Sequence, residues 1–161
     1  MAGFRYLRTL AGKYSLDPER LMVIGHSAGG QLALCLAAHA KGVHAAISLA
    51  GVLDLDRAHD LHLSNDAVVE FLGGTPVQVP EHYREASPMS AKVPKNVKQL
   101  VVAGAKDEVV PPAFSRDYVS HKKKSGENVK LLELPDSGHF EVIDPEAKEW
   151  RRIVDAVRKL L

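Results

Sequence analysis

The sequence predicts an α/β fold, in which a parallel sheet of about four strands is flanked by helices. Two observations predict it. Short, nearly continuous apolar runs recur along the 161 residues, and stretches with apolar residues at helical spacing lie between and after them. Strands that alternate with helices are typical of parallel sheets, because each crossover helix covers one face of the sheet.

Four strands and five helices are expected in order along the chain. The strands are expected at Arg20–Ile24, Ala45–Leu49, Gln99–Ala103 and Val129–Leu134, and the helices at Phe4–Tyr14, Gly29–Ala40, Asp66–Leu72, Pro112–Lys124 and Pro145–Leu161. Only the third of these helices lies in region 51–98. The prolines and turn residues around it indicate an irregular lid or binding loop. No linker composition separates it, so we expect a single domain over residues 1–161.

Composition and charge exclude several classes of protein. The 21 Lys+Arg against 20 Asp+Glu give a formal net charge of +1 with mixed signs, so no basic field favours nucleic acid. The run Lys122–Lys124 ends a predicted helix and is expected to be a solvated face. Because no apolar run is long enough for a membrane span and no signal peptide is visible, we expect a soluble, cytoplasmic protein with no membrane partner.

The cysteine and histidine residues do not predict a metal site. Cys35 is the single cysteine, which excludes an intramolecular disulfide and a cysteine-based zinc cluster. His59 and His62 lack a third firm ligand and are expected to be surface histidines. We expect neither a metal nor a cofactor.

The pentapeptide Gly25–Gly29, of sequence G-H-S-A-G, lies between a predicted strand and a predicted helix. In that context it predicts a sharp turn that presents the Ser27 hydroxyl as a nucleophile, with glycines where strand and helix pack closely. The Ala28 N–H, at the start of the helix, is expected to face a developing oxyanion. The alternative is a tight glycine-rich turn without chemistry. His26 is expected to pack beside the nucleophile or to support the residues around it.

A nucleophilic serine needs a base, and the base needs an orienting carboxylate. Asp107 follows the third predicted strand and His139 follows the fourth. Because the carboxyl ends of parallel strands meet at one edge of a sheet, we expect Ser27, Asp107 and His139 to converge there. Glu108 is the alternative orienting carboxylate, and Asp136 and Asp144 are alternative partners of His139 that are otherwise expected at solvated loop positions.

These segments resemble the α/β-hydrolase family, and within it the esterase branch near the kynurenine formamidase-like and carboxylesterase-type enzymes. The resemblance is carried by Gly25–Ala33, Gly51–Leu55, Ala86–Pro88, Asp107–Pro111 and Ser137–Phe140, and it covers nearly the whole chain. It implies a shortened α/β-hydrolase fold. It also implies that Ser27 is the nucleophile, His139 the general base and acid, Asp107 the orienting carboxylate and the Ala28 N–H an oxyanion donor.

The expected function is a serine hydrolase of the carboxylesterase type, which cleaves small-molecule esters of small or medium acyl groups through an acyl-enzyme. Leu53, Val110 and Phe140 are expected to line the substrate pocket, with core packing as the alternative. One alternative function is an arylformamidase or amidase. Another is a catalytically incomplete hydrolase fragment or a pseudo-hydrolase binding module. A peptidase is a third, although no peptide-binding propeller or acidic amine anchor is visible.

The sequence departs from the family before the nucleophile. Family members normally carry several strands there, with a loop that gives the second oxyanion N–H, whereas about twenty residues precede Gly25 here. We therefore expect the C-terminal portion of a hydrolase, as a truncation or as an unusually small natural form. Loss of one oxyanion donor costs about 10²–10³ in rate. The run Leu21–Ile24 then lies at an exposed apolar edge, which predicts a homodimer through this edge or cover by the N-terminal helix.

Overall fold

The computed structural model describes residues 2–161. Within them four strands form a sheet in which every neighbouring pair is parallel and the strands follow one another in chain order. They are β1 (Met22–His26), β2 (Ala45–Leu49), β3 (Lys98–Gly104) and β4 (Val129–Leu134). The predicted sheet is confirmed, and the strand ends differ from the expected ones by two residues or fewer.

Helices precede, connect and follow the strands. They are α1 (Ala2–Thr9), α2 (Ala11–Tyr14), α3 (Ala28–His39), α4 (Leu55–Asp60), α5 (Ala67–Leu72), α6 (Pro80–Ala86), α7 (Ala113–Lys124) and α8 (Trp150–Arg158). The expected helix Phe4–Tyr14 is wrong as one element, because it breaks where the Thr9 hydroxyl bonds back to the Tyr6 carbonyl. None of the described helices is long and apolar enough to cross a bilayer.

Two hydrophobic cores lie on opposite faces of the sheet. Consecutive residues of β2 alternate between them, with Ala46 in the first core and Ile47 in the second. The first core lies beneath α3 and α7, which contribute Leu34 and Tyr118. The second lies beneath α8, which contributes Ile153. Helices on both faces leave the carboxyl ends of the strands as the open edge for a site.

The region 51–98 is more ordered than the sequence predicts. It holds three helices, α4, α5 and α6, where just the second of them is expected. The Asp54 side chain caps α4 by accepting from the Arg57 N–H, and Pro80 opens α6. Helices of six or seven residues give little periodic signal, and α4 and α6 lack the C-terminal glycine that marks the end of α5. The three helices contribute to a third apolar cluster, which includes Tyr83.

Strand β1 is the outer strand of the described sheet. The Ile24 side chain is 57% exposed, whereas every residue of β2 is buried. The expected cover by the N-terminal helix is not found among residues 2–161, because α1 lies elsewhere: Phe4 packs on the first core and Arg8 lies beside Gly42. The edge of β1 therefore stays open in this chain.

Candidate active site

Ser27 forms the whole turn between β1 and α3. Its backbone has φ 54° and ψ −121°, a conformation that residues other than glycine seldom adopt. The strain is held by hydrogen bonds at both ends of the residue: Ser27 N–H donates to the Leu49 carbonyl, and the Ser27 carbonyl accepts from Gly30 N–H, each at 2.9 Å. The expected strand–turn–helix is confirmed, and it places Ser27 at the carboxyl edge of the sheet.

Two glycines allow the strand and the helix to approach closely. A Cβ at Gly25 would lie 2.0 Å from the carbonyl oxygen of Gly29, and a Cβ at Gly30 would lie 2.5 Å from Ser48 Oγ. A Cβ at Gly29 would meet nothing within 4 Å among the described residues. The close approach therefore requires Gly25 and Gly30, and the expectation that Gly29 serves this purpose is wrong.

Asp107 and His139 are brought together from the loops after β3 and β4. His139 Nδ1 lies 2.8 Å from Asp107 Oδ2, and both side chains are buried. The other Asp107 oxygen accepts from the N–H groups of Val109 and Val110, at 2.9 and 2.8 Å. An ionised carboxylate can only accept hydrogen bonds. Nδ1 therefore carries the imidazole proton, and Nε2 is left as the basic nitrogen.

The other acids do not contact the imidazole. Glu108 is exposed, and Asp136 forms ion pairs with two exposed lysines, each at 3.2 Å. Asp144 accepts from the N–H of Glu146. Asp107 is thus the carboxylate that orients His139 in this structure.

His26 contacts the imidazole loop from the other side. Its Nε2 lies 2.9 Å from the main-chain oxygen of His139, and the two rings are 4.5 Å apart between centroids. Since the acceptor is a carbonyl, Nε2 is the donor. The sequence predicted a packing or supporting role for His26 but not its partner, because the partner lies 113 residues away. Within residues 2–161, no hydrogen bond from the Ser27 hydroxyl is found. Hydrogen bonds between a nucleophile and its base are often long when no substrate is bound.

A cavity of about 290 Å³ opens beside Ser27, between α3 and the helices of region 51–98. Its lining carries no charged side chain and consists of Ser27, Ala28, Gln31, Leu32, Val52, Leu55, Ala58, Leu63, Ser64, Ala67, Val68, Phe71 and Val110. The residues of α4 and α5 were missed, because the sequence pattern does not show how short helices fold over a site. The cavity is thus apolar apart from two serines and a glutamine.

The three expected pocket residues have different positions. Val110 lines the cavity. Leu53 does not: its side chain is fully buried in the first core, and its neighbour Val52 faces the cavity instead. Phe140 does not line the cavity either, since its ring is 64% exposed and lies edge-on to His139 at 5.1 Å. The expectation for Leu53 and Phe140 as walls of this cavity is therefore wrong.

The start of α3 offers hydrogen-bond donors at the cavity. The first N–H groups of a helix have no acceptor within the helix, and the helix dipole places partial positive charge there. Ala28 is the first residue of α3 and lines the cavity next to Ser27. Its N–H therefore has no acceptor within α3.

The described residues contain no cluster of three or more histidine, cysteine, aspartate or glutamate side chains suited to a metal ion. His62 instead pairs with Asp66, at 2.8 Å, on the surface.

Comparison with known proteins gives both a family and a fold. The prolyl oligopeptidase family (S9 peptidases) matches residues 2–158. Esterase LipQ of Mycobacterium tuberculosis is 29% identical over 150 residues, which cover 83% of this chain and 36% of that protein. The chain thus spans about a third of the length of this relative.

Solved structures with the same fold include esterases and peptidases. A truncated carbohydrate esterase from gut microbiota matches with a TM-score of 0.81 and 22% identity, over 99% of this chain and 66% of that one. Esterase Est2 of Thermogutta terrifontis matches with a TM-score of 0.75 and 22% identity, over 99% and 60%. An acylaminoacyl peptidase matches with a TM-score of 0.77 and 18% identity, over 96% and 25%. With a family match over nearly its whole length, the chain belongs to the prolyl oligopeptidase family of serine hydrolases with the α/β-hydrolase fold.

Proposed function

We propose that this chain carries the machinery of a carboxylesterase that cleaves esters of small or medium apolar acyl groups. The observation that carries the proposal is the uncharged cavity lined by Ser27, together with the hydrogen-bonded pair of Asp107 and His139 in the loops that follow β3 and β4. Each methylene buried there contributes about 0.8 kcal/mol to binding. A charged acyl group would lose its hydration without gaining a partner, so the cavity favours apolar ones.

The proposed reaction follows the acyl-enzyme route. Ser27 Oγ attacks the ester carbonyl carbon while its proton passes to His139 Nε2, and the carbonyl electron pair moves to the oxygen that faces the Ala28 N–H. Asp107 stays ionised and stabilises the imidazolium. The bond to the alcohol oxygen then breaks, and the alcohol leaves with the proton from His139. Water gives a proton to His139 and attacks the acyl carbon, and the bond from that carbon to Ser27 Oγ then breaks. His139 returns the proton to Ser27 Oγ, and the acid leaves.

The test is hydrolysis of p-nitrophenyl esters, from acetate to long acyl chains, by the wild type and Ser27→Ala. We expect activity that rises and then falls with chain length, and that drops to background in the variant. A fluorophosphonate probe should label the wild type and not Ser27→Ala. Equal rates for the two proteins, without labelling of the folded wild type, would instead support an incomplete hydrolase or a binding module.

The length preference depends on Phe71, an exposed aromatic residue that lines the cavity. Phe71→Ala is expected to move the optimum to longer acyl chains, since it enlarges the cavity. Val77→Ala is the matched control, because Val77 is an exposed apolar residue of the same region that does not line the cavity. The same optimum in both variants would contradict the assignment of the cavity as the acyl site.

Amide cleavage is the second candidate function, and the match to a peptidase family favours it. The lining residues of the cavity include no aspartate or glutamate that could pair with a substrate amine, which favours esters. p-Nitroanilides of the same acyl groups separate the two functions. Anilide rates comparable to the ester rates would support an amidase or peptidase.

A further inference from the structure

A buried carboxylate that the proposed reaction does not use holds the loop before His139. Glu149 lies immediately before α8 and is 6% exposed. One of its oxygens accepts from the Asp136 N–H at 3.0 Å and from the Ser137 hydroxyl at 2.9 Å. The other accepts from the Arg152 guanidinium. Glu149 thus fixes two consecutive residues of the loop that carries His139.

The same loop is fastened to the loop that carries Asp107. The carbonyl of Ser137 accepts from the Lys106 N–H at 3.0 Å, one residue before Asp107. The two loops approach so closely that a Cβ at Gly104 would lie 2.4 Å from the Ser137 carbonyl oxygen. Ser137 therefore links Glu149, on one side, to both partners of the Asp107–His139 pair.

We propose that Glu149, acting through Ser137, is a positioning residue for the Asp107–His139 pair, an assignment that rests on the function proposed above. Glu149 touches neither the imidazole nor the cavity, so its effect reaches the reaction through the geometry of His139. Hydrogen bonds to an ionised acceptor are among the strongest that side chains make. A displacement of about 1 Å at reacting groups can cost about 10²-fold in rate.

Glu149 stays ionised at neutral pH, which the anchoring requires. Burial acts to raise the pKa of its carboxyl, but the hydrogen bonds from Ser137 and Asp136 and the ion pair with Arg152 outweigh burial and hold the pKa below its ordinary value. The carboxylate therefore continues to accept from the loop through the neutral range.

The experiment compares Glu149→Gln and Ser137→Ala with the control Glu133→Gln. Glu133 lies on β4 and forms an ion pair with Arg116 on the surface, so its variant removes a similar charge away from the loop. Imidazole NMR follows the Nδ1 proton resonance of His139, assigned with a His139→Gln variant. Ester hydrolysis gives kcat and KM in parallel.

For Glu149→Gln we expect the His139 Nδ1 proton resonance to move upfield and broaden, because the hydrogen bond to Asp107 becomes looser, and kcat to fall about 10- to 100-fold at nearly constant KM. Ser137→Ala should shift the resonance in the same direction and lower kcat about fivefold, since it removes one hydrogen bond to a charged group. Glu133→Gln should leave the Nδ1 resonance and kcat unchanged.

The proposal is overturned if both variants fold and keep the wild-type Nδ1 resonance and kcat; a loss of thermal stability alone would mean that Glu149 stabilises the fold only. If Glu149→Gln does not fold, Ser137→Ala decides by the same measurements. Should the wild type hydrolyse no ester, the proposed function fails, and the Nδ1 resonance still decides whether Glu149 positions His139.

Discussion

Ser27 is a strained residue of the site, and Ser64, which also lines the cavity, has positive φ as well. A non-glycine residue held in such a conformation costs about 1–3 kcal/mol, and the hydrogen bonds to Leu49 and Gly30 keep Ser27 in place. The strained turn has a geometric consequence. It places the Ser27 side chain next to the first residue of α3, whose N–H has no acceptor within the helix.

His26 is expected to hold the imidazole loop through its hydrogen bond to the His139 carbonyl. His26→Ala should lower kcat for ester hydrolysis about tenfold with little change in KM, since the loss acts on the placement of His139 rather than on substrate binding. His26→Gln places an amide N–H near the position of Nε2 and should restore most of kcat. The same kcat in the wild type and both variants would contradict this role.

Residue types and strand ends predicted the proximity of Asp107 and His139, because parallel strands present their carboxyl ends at one edge. The contacts of His26 and Glu149 could not be predicted in this way. Both depend on the path of loops around the site, which no periodic pattern encodes. The prediction that Leu53 lines the pocket was wrong for a related reason. Adjacent residues in a loop face different ways, and composition does not show which of Val52 and Leu53 faces the cavity.

Among the helices, α7 secures the end of region 51–98 through a buried lysine. Lys122 is 2% exposed, and its Nζ donates to the carbonyls of Met89 and Ala91 and lies 3.6 Å from a Glu127 carboxylate oxygen. The expectation of a solvated lysine face is therefore wrong for this residue. Burial lowers the pKa of Lys122, and the neighbouring Glu127 carboxylate partly opposes this shift.

Lys122→Met is expected to lower the free energy of unfolding by about 3–5 kcal/mol, because it leaves the Glu127 carboxylate buried without its cation. Lys123→Met, at the exposed neighbouring position on the same helix, should change it by less than about 0.5 kcal/mol. Urea unfolding at pH 7 measures both. Equal effects of the two substitutions would show that the buried pair does not stabilise the packing of region 51–98 on α7.

For the molecule as a whole, the parallel sheet and its helices on two faces were predictable, because the apolar runs and the helices between them leave few arrangements for right-handed crossovers. The short helices over the cavity were not predictable from the sequence pattern. They are short, and they are stabilised by a third cluster built from residues as far apart as Leu55 and Phe114. Packing between distant segments, rather than the local sequence pattern, therefore shapes the cavity beside Ser27.

The open edge of β1 predicts self-association of this chain through strand pairing. An edge strand presents unpaired N–H and carbonyl groups, and the exposed Ile24 adds apolar surface. We therefore expect association that grows with protein concentration, and a shift toward monomer in Ile24→Lys, because a charge on the edge opposes strand pairing. Sedimentation velocity over a range of protein concentrations measures this association.

The control is Val77→Lys, which adds the same charge at an exposed apolar residue away from the sheet and should associate like the wild type. Concentration-independent monomers in all three proteins would mean that the edge of β1 does not pair with a second copy, whereas equal suppression by both lysines would assign the effect to net charge.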